Sequence, residues 1–408
     1  MKKLLTYTVV FLSVTLFSCE KAESPVREPN KITLSKKSAE IIEADKAFGF
    51  ELFREVCRMS EEENIMISPI SVSYALGMTY NGAADSTLEA FEKVLHFEDL
   101  TEEEVNESYK DLMDQLLNLD EKVEFSLANS IWYRLGYEVL EAFIQTNSQY
   151  FDAEVHEIDF ADPGTLDAIN QWIEDHTSGK IKEMLDYIPS DAVMYLINAI
   201  YFKAKWRYEF DKSQTYSGDF YLEGGSAHPV DLMKVSGDFN YTVNQDFTAV
   251  ELPYGDSAFS MVVMLPSEAT GIDGVVEKMN PGQWDSWFEE SLYRAVQVDM
   301  PKFKYGFKDL LNDPLKNLGL GVAFSDMADF TRIHPAGGLY ISRVIHQSFI
   351  DVQEEGTEAA AATIVELREY SGGGPVIFRV DRPFLYAIKE NSTGAIVFIG
   401  RVGRPEYG

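Results

Sequence analysis

Apolar side chains recur at helical spacing in early parts of the chain and alternate with polar ones in later parts. Ser38 to Met59 and Thr165 to His176 carry apolar residues three and four apart, the mark of one buried helix face. Phe247-Thr-Ala-Val-Glu-Leu252 and Val296-Gln-Val-Asp-Met300 instead switch between apolar and polar at each step, which predicts strands with one face inward. Ile341 to Val352 is also strand-like. Helices early and strands later predict an α+β fold.

The stretch Glu354-Glu355-Gly356-Thr357-Glu358-Ala359-Ala360-Ala361-Ala362-Thr363 fits more than one pattern. Taken every second residue, Thr357, Ala359, Ala361, Thr363, Val365 and Leu367 are small or apolar, and Glu358, Glu366 and Arg368 lie between them. That is a strand's period, yet alanine packs poorly in an ordinary strand and favours helices. A helix, a plain loop, or a strand that slides between strands already in place are all open to this stretch taken alone. For the last, small side chains enter a preformed slot without overpacking, and Gly356 supplies a pivot.

At 408 residues and 45% hydrophobic the chain can bury a large core, and length alone suggests two or three domains. No Pro/Gly/Ser-rich linker, repeat or long low-complexity run divides it, which favours one large mixed domain.

Several motifs precede the Glu354 stretch. They are Asn64-Ile-Met-Ile-Ser68-Pro69-Ile-Ser71-Val-Ser-Tyr-Ala-Leu76 with Asn81-Gly82-Ala83, Thr177-Ser-Gly-Lys-Ile181, and Asn198-Ala-Ile-Tyr-Phe-Lys-Ala-Lys-Trp206. Leu252-Pro-Tyr254, Ser260-Met-Val-Val-Met-Leu-Pro266 and Pro301-Lys302-Phe303 come next, and Val376 to Tyr386 and Thr393 to Val402 follow the stretch. In order and spacing, from about residue 40 to the end, this set resembles the serpins, the family of suicide protease inhibitors.

The resemblance implies about eight to nine helices around three β-sheets in a single domain, residues 36–408, with an exposed reactive-centre loop over about 354–376. It makes Glu354 to Thr363 the hinge of that loop. It groups Ser68, Ser71, Asn198 and His346 as a polar cluster beneath the sheet where strands part, a shutter. It places Trp206 where the hinge first enters, the breach, with Lys302 facing Glu354 there.

The implied activity is trapping rather than turnover. A protease attacks the loop and forms an acyl-enzyme; the loop's upstream half then inserts into the central sheet and carries the protease with it. Fourteen residues separate Gly356 from Tyr370, the usual inhibitory spacing, which sets the scissile bond at Tyr370-Ser371. At about 3.3 Å per residue the new strand would span on the order of 46 Å, whereas a shift of about 1 Å already harms a catalytic site. Tyr370 suits the apolar pocket of chymotrypsin-like or elastase-like enzymes. Counting back from Pro383 by the family's commonest spacing lands nearer Gly372, and Arg368-Glu369, of trypsin-like specificity, is the alternative bond.

The partner so implied is a serine protease held in a covalent acyl complex, with a papain-like cysteine protease as a further possibility and a monomeric inhibitor. The alternative function is a non-inhibitory binding or carrier role. Members that do not insert carry bulky, charged or proline residues at slots held here by Thr357, Ala359 and Ala361, so the small residues favour an inhibitor.

A formal charge of −32, from 67 acidic against 35 basic residues, repels polyanions and argues against nucleic acid or heparin-like partners. Glu61-Glu62-Glu63 and Glu102-Glu103-Glu104 read as solvated loop or helix-start charges. An enzyme is not expected. The six histidines, His96, His156, His176, His228, His334 and His346, form no metal-binding spacing, and no Gly-x-Ser-x-Gly elbow, phosphate loop or Cys-x-x-Cys pair is present. Gly319-Leu-Gly321 lacks the third glycine a dinucleotide loop needs. No cofactor or metal is therefore expected.

Lys2 and Lys3 precede an apolar run from about Leu4 to Phe17, followed by Ser18-Cys19 and polar residues, which predicts a signal segment over 1–18. It is short for a membrane span, which needs about 20 residues. A cysteine after a small residue resembles a bacterial lipobox, with Cys19 lipidated, residues 19–35 a tether, and the protein on the periplasmic or surface face of the outer membrane. An ordinary secreted protein is the alternative. With Cys19 lipidated, Cys57 is the sole cysteine of the domain, expected as a small buried hydrophobe.

Overall fold

The computed structural model describes residues 29–357 and 374–407. Among these residues, nine α-helices and fifteen strands build two hydrogen-bonded sheets with a shared apolar core. The helix Lys36–Met59 starts at Ser35, whose hydroxyl accepts from Ser38 N at 3.0 Å. Its buried face carries Ile41, Phe48, Leu52, Phe53 and Val56, a stripe at helical spacing, as the sequence predicts. The helix Gly164–His176 likewise matches its predicted span.

The helix Pro69–Tyr80 is buried almost all round, because it lies between the two sheets rather than on one of them. Ser68 caps it, and Pro69 fills the first helical position, where a missing N–H does no harm. Phe202 meets both Phe259 and Phe398 edge-on, at 5.6 and 6.4 Å, so aromatic rings knit the two sheets together beside it.

The six-stranded sheet runs, in spatial order, Phe303–Leu310, Ile345–Gln353, Gly356–Thr357, Met194–Lys205, Val123–Arg134 and Ala153–Ile158. The helix Gly164–His176 covers its outer face, where Trp132, Ile169, Trp172, Ile173 and Ile197 form a separate small core. The second sheet has nine strands. Its 17-residue strand Ala227–Val243 pairs with Leu292–Pro301 along Leu232–Tyr241 and with Phe247–Pro253 along Asn240–Val243. That long strand serves two layers at once, so the three sheets implied by the resemblance take the form of two hydrogen-bonded networks.

Other sequence expectations shift in detail. The strand-like run from Ile341 begins pairing only at Ile345, because Ile341 N and Val344 O bond to Ala323 O and Leu311 N of the preceding segment instead. The predicted tether 19–35 ends earlier than expected: Asn30 donates to Leu119 O at 2.9 Å, Ile32 N to Ser392 Oγ at 3.0 Å, and Ile32 is buried. Cys57 is half-buried at the edge of the core, and burial pushes its thiol up to about 12. Glu61 to Glu63 line an exposed loop or its edge, while Glu102 to Glu104 fill the first turn of the helix Glu102–Leu116, with Thr101 and Glu104 in a capping box.

Candidate functional site: the hinge and the slot it enters

The strand Ile345–Gln353 ends at the turn Glu354-Glu355 and comes back as the two-residue strand Gly356–Thr357. Thr357 faces Val352 on one side and Ala204 on the other; Gly356 faces Gln353 and Lys205. It runs antiparallel to both neighbours, so Ile345–Gln353 and Met194–Lys205 run parallel to each other. Among the described residues, those two strands are joined within the sheet only through Gly356–Thr357. Gly356 is required: at φ 149° a Cβ would come 2.1 Å from Ala204 O and 2.7 Å from Lys205 Cα.

The turn is gripped from several elements. Lys302 Nζ stands 3.2 Å from Glu354 Oε2, and Thr215 Oγ1 donates to Glu354 Oε1 at 2.8 Å. Burial pushes the Glu354 carboxyl up, but its own backbone N–H, Thr215 and Lys302 outweigh that and hold it below the usual carboxylate range. Lys212 Nζ pairs with Glu355 Oε1. Trp206 donates from its backbone to Glu355 O at 3.1 Å and from its indole to Gln353 O at 2.9 Å, and Phe210 N donates to Glu354 O at 2.9 Å. The C-terminal segment closes the top: Tyr407 OH donates to Gln353 Oε1 at 3.0 Å, and Lys302 Nζ sits 4.3 Å from the Tyr407 ring centre.

Beneath the strand, Trp206 stacks on Tyr254 with ring centres 4.3 Å apart, and the Tyr254 hydroxyl lies 2.7 Å from Thr357 Oγ1. Both groups are buried, so Thr357 points into the core. Further along the same two strands lies the polar cluster. Ser68 N donates to His346 Nε2 at 3.2 Å, and Ser68 Oγ donates to Val397 O at 2.7 Å. Ser71 Oγ donates to Asn198 Oδ1, and Asn198 Nδ2 passes the chain on to Asn129 Oδ1 at 2.7 Å. Burial pushes the His346 imidazole down to about 4, so at neutral pH it is an uncharged acceptor, which is what Ser68 N needs.

A cavity of about 400 Å³ adjoins this cluster, walled by Met194 to Asn198 and Ile345 to Gln347 and floored by Ser71, Val72, Ala75, Leu76 and Thr79 of the helix Pro69–Tyr80. The space therefore lies beyond the two-residue strand, between the same two neighbouring strands.

Ser68, Ser71, Asn198 and His346 thus meet in one cluster, and Trp206, Lys302, Glu354, Glu355, Gly356 and Thr357 in a second. Glu358, Ala359, Ala360, Ala361, Ala362, Thr363, Arg368, Glu369, Tyr370 and Ser371 lie outside the described residues, as does Cys19. Sequence reasoning missed Asn129, Lys212, Thr215 and Tyr407, which enter these sites from distant segments. Tyr254 belongs to the Leu252-Pro-Tyr254 motif, but nothing in the sequence ties it to Thr357. Among the described residues no group of histidine, cysteine and carboxylate side chains is arranged to hold a metal ion.

A family model described as serpin, serine protease inhibitor, matches residues 43–405. An uncharacterised serpin-like protein of Methanosarcina acetivorans is 35% identical over 379 residues, covering 90% of this chain and 88% of that one. Human serpin B4 is 33% identical over 386 residues, covering 89% and 99%. The crystal structure of a thermophilic serpin, tengpin, in the native state superposes with a TM-score of 0.82 at 32% identity, covering 93% and 97%. With a family model matching from the first helix to the C-terminal strand, and relatives aligned over most of their length, the chain belongs to the serpins, a family of protease inhibitors in general.

Proposed function

We propose that this chain is a suicide inhibitor of serine endopeptidases of the chymotrypsin-like or elastase-like kind, acting by cleavage of its loop, acyl-enzyme trapping and strand insertion. The observation that carries the reading is the hinge itself, seated as a two-residue strand between two parallel strands that no other described strand joins. Insertion continues that strand. Each step inward moves one residue along the loop and one back along each neighbour. Six steps beyond Thr357, residue Thr363 comes opposite His346, six before Val352, and opposite Asn198, six before Ala204. Both registers reach the polar cluster at the same loop residue.

The phase of the strand also follows. Since Thr357 points inward, a strand extended from it would turn Ala359, Ala361 and Thr363, the small set, inward and Glu358 outward. Small inward residues meet little overpacking, and Thr363 brings a hydroxyl to a place already lined by Asn198 and His346. The bond offered to the protease in this reading is Tyr370-Ser371, with Arg368-Glu369 as the alternative.

The test is to incubate the protein lacking residues 1–19 with chymotrypsin, elastase, trypsin and papain, run denaturing gels, and weigh the released C-terminal fragment. A denaturant-resistant complex with chymotrypsin or elastase, and a fragment that begins at Ser371, supports the reading. A complex only with trypsin and a fragment from Glu369 moves the bond, and one only with papain moves the target class. Cleavage with no complex supports the binding or carrier role instead.

The anchor is proposed as well: a signal segment over 1–18 and lipid on Cys19 would hold the inhibitor at the cell envelope, on the outer membrane. Incorporation of labelled fatty acid into wild type but not Cys19→Ala supports it; a soluble, unlipidated mature protein overturns it in favour of secretion.

A further inference from the structure

Lys302 and Glu354 hold one side of the hinge turn; Lys212 holds the other, and the surroundings of Lys212 are built for that task. Phe210 to Thr215 is one short turn that meets the hinge at three points: Phe210 N on Glu354 O at 2.9 Å, Thr215 Oγ1 on Glu354 Oε1 at 2.8 Å, and Lys212 Nζ on Glu355 Oε1. Its shape is fixed locally. Asp211 caps it, accepting from Ser213 N at 2.8 Å, Ser213 Oγ at 2.7 Å and Gln214 Nε2 at 3.1 Å. Glu355 is a buried carboxylate with 7% of its side chain exposed, whereas Lys212 reaches in from solvent at 61%. A buried carboxylate without a partner is costly, so Glu355 favours the one turn conformation that brings it to Lys212.

We propose that the Phe210–Thr215 turn, through Lys212 on Glu355, is the seat that nucleates strand insertion, so that Lys212 is a positioning residue deciding how often an attacking protease is trapped rather than released. This rests on the inhibitory reading. The turn Glu354-Glu355 reverses the chain between Gln353 and Gly356, and insertion lengthens the strand beyond Thr357 without undoing that reversal. The contact is thus present at the start and retained at the end. Forming a reversal is the slow part of adding a strand, and each later residue only extends it. Trapping is a race between insertion and hydrolysis of the acyl bond. A hinge that has lost its seat must re-form the turn before extending, and more acyl-enzymes hydrolyse.

Two measurements test this. In the first, Lys212→Ala and Glu355→Gln are titrated against the protease that wild type traps. The number of inhibitor molecules consumed per trapped protease rises about three-fold at low salt, the scale of a single partly exposed ion pair. The rate of initial loop cleavage stays unchanged in Lys212→Ala. Lys212→Arg behaves as wild type, and the swapped pair Lys212→Glu with Glu355→Lys recovers most of what Lys212→Glu alone loses. In the second, the loop is nicked by a small amount of protease, and the gain of heat resistance is followed in time; it is slower in Lys212→Ala. Unchanged stoichiometry together with an unchanged rate after nicking overturns the proposal. If wild type traps nothing yet nicked Lys212→Ala gains resistance more slowly, the seat stands and the inhibitory reading falls.

Discussion

The strand Phe259–Pro266 is paired on both sides and buried at all eight of its positions. The strand Met194–Lys205 is paired with Val123–Arg134 along nearly its whole length, but on its other side, among the described residues, only at Ala204 and Lys205. The first strand is lined by Met, Val and Leu; the second borders hydroxyls, amides and a neutral imidazole. Apolar packing has one best arrangement and resists opening, whereas a hydrogen-bonded cluster can exchange partners at small cost. The difference separates a scaffold from what the proposed mechanism makes a receiver, within one core.

Replacing Gly356 by valine acts on the receiver alone. A side chain cannot share space with Ala204 O, so the two-residue strand is expelled. The inhibitor consumed per trapped protease is expected to rise about ten-fold or more, the scale of a lost backbone fit, with the loop still cut; unchanged trapping on a denaturing gel would contradict this.

Two buried titratable groups give the comparison a pH axis. Burial pushes the Asp45 carboxyl up to about 7, with the Tyr109 and Ser73 hydroxyls pulling the other way, while it pushes His346 down to about 4. Folded Asp45 keeps a proton that the unfolded chain releases, so its contribution is present at low pH and is lost as pH rises through about 7. His346 is the reverse: its contribution is present above the ordinary histidine range and is lost as pH falls toward about 4. Asp45 is worth about 4 kcal/mol and His346 about 3 kcal/mol, and the two slopes oppose where their windows overlap, from about pH 4 to about pH 6.5. Wild type should therefore show a flat stability profile from about pH 4.5 to about pH 6.5 in this respect, the span in which the two shifts overlap. Asp45→Asn should become less stable toward pH 5, roughly the middle of that window, and His346→Gln more stable there than at neutral pH, as read from denaturant midpoints. Parallel profiles in all three would refute the assignment.

Lys302→Ala strands the Glu354 carboxylate, whose side chain is 5% exposed, and should cost about 2 kcal/mol and promote self-association on native gels. Stability and polymerisation both equal to wild type would remove Lys302 from the hinge's support. Thr101→Ala lies outside both regions. It removes half of a capping box and should cost about 1 kcal/mol in the unfolding midpoint while leaving trapping untouched; a trapping defect there would mean the two regions are coupled through the helices.

Much of this was legible in the chain. Helical spacing located Lys36–Met59 and Gly164–His176, because each lays a single face on the core. Lys302 and Glu354, far apart in sequence, were paired through the resemblance and stand 3.2 Å apart. What stayed hidden are contacts that leave no pattern. Lys212 is an exposed lysine in a polar turn, and Asn129 one amide in an alternating strand, so neither differs locally from a solvated or buried neighbour. The fusion of the sheets was equally invisible, since a 17-residue strand shows the same alternation whether one partner or two share it.

The pairing of Asn64–Ile67 with Ile399–Val402 carries a consequence for biosynthesis. The scaffold sheet cannot close until Ile399–Val402 has left the ribosome, by which time the strands flanking the hinge, and the hinge itself, have all been made. A chain that emerges N-terminus first thus holds the hinge and its destination together while the rest of the fold is still open. On the proposed inhibitory reading, delivery to the active shape becomes a contest of rates between docking of Ile396–Val402 and entry of the loop between the two strands, and slowing synthesis just before Ile396 should increase the share of inactive, over-stable product.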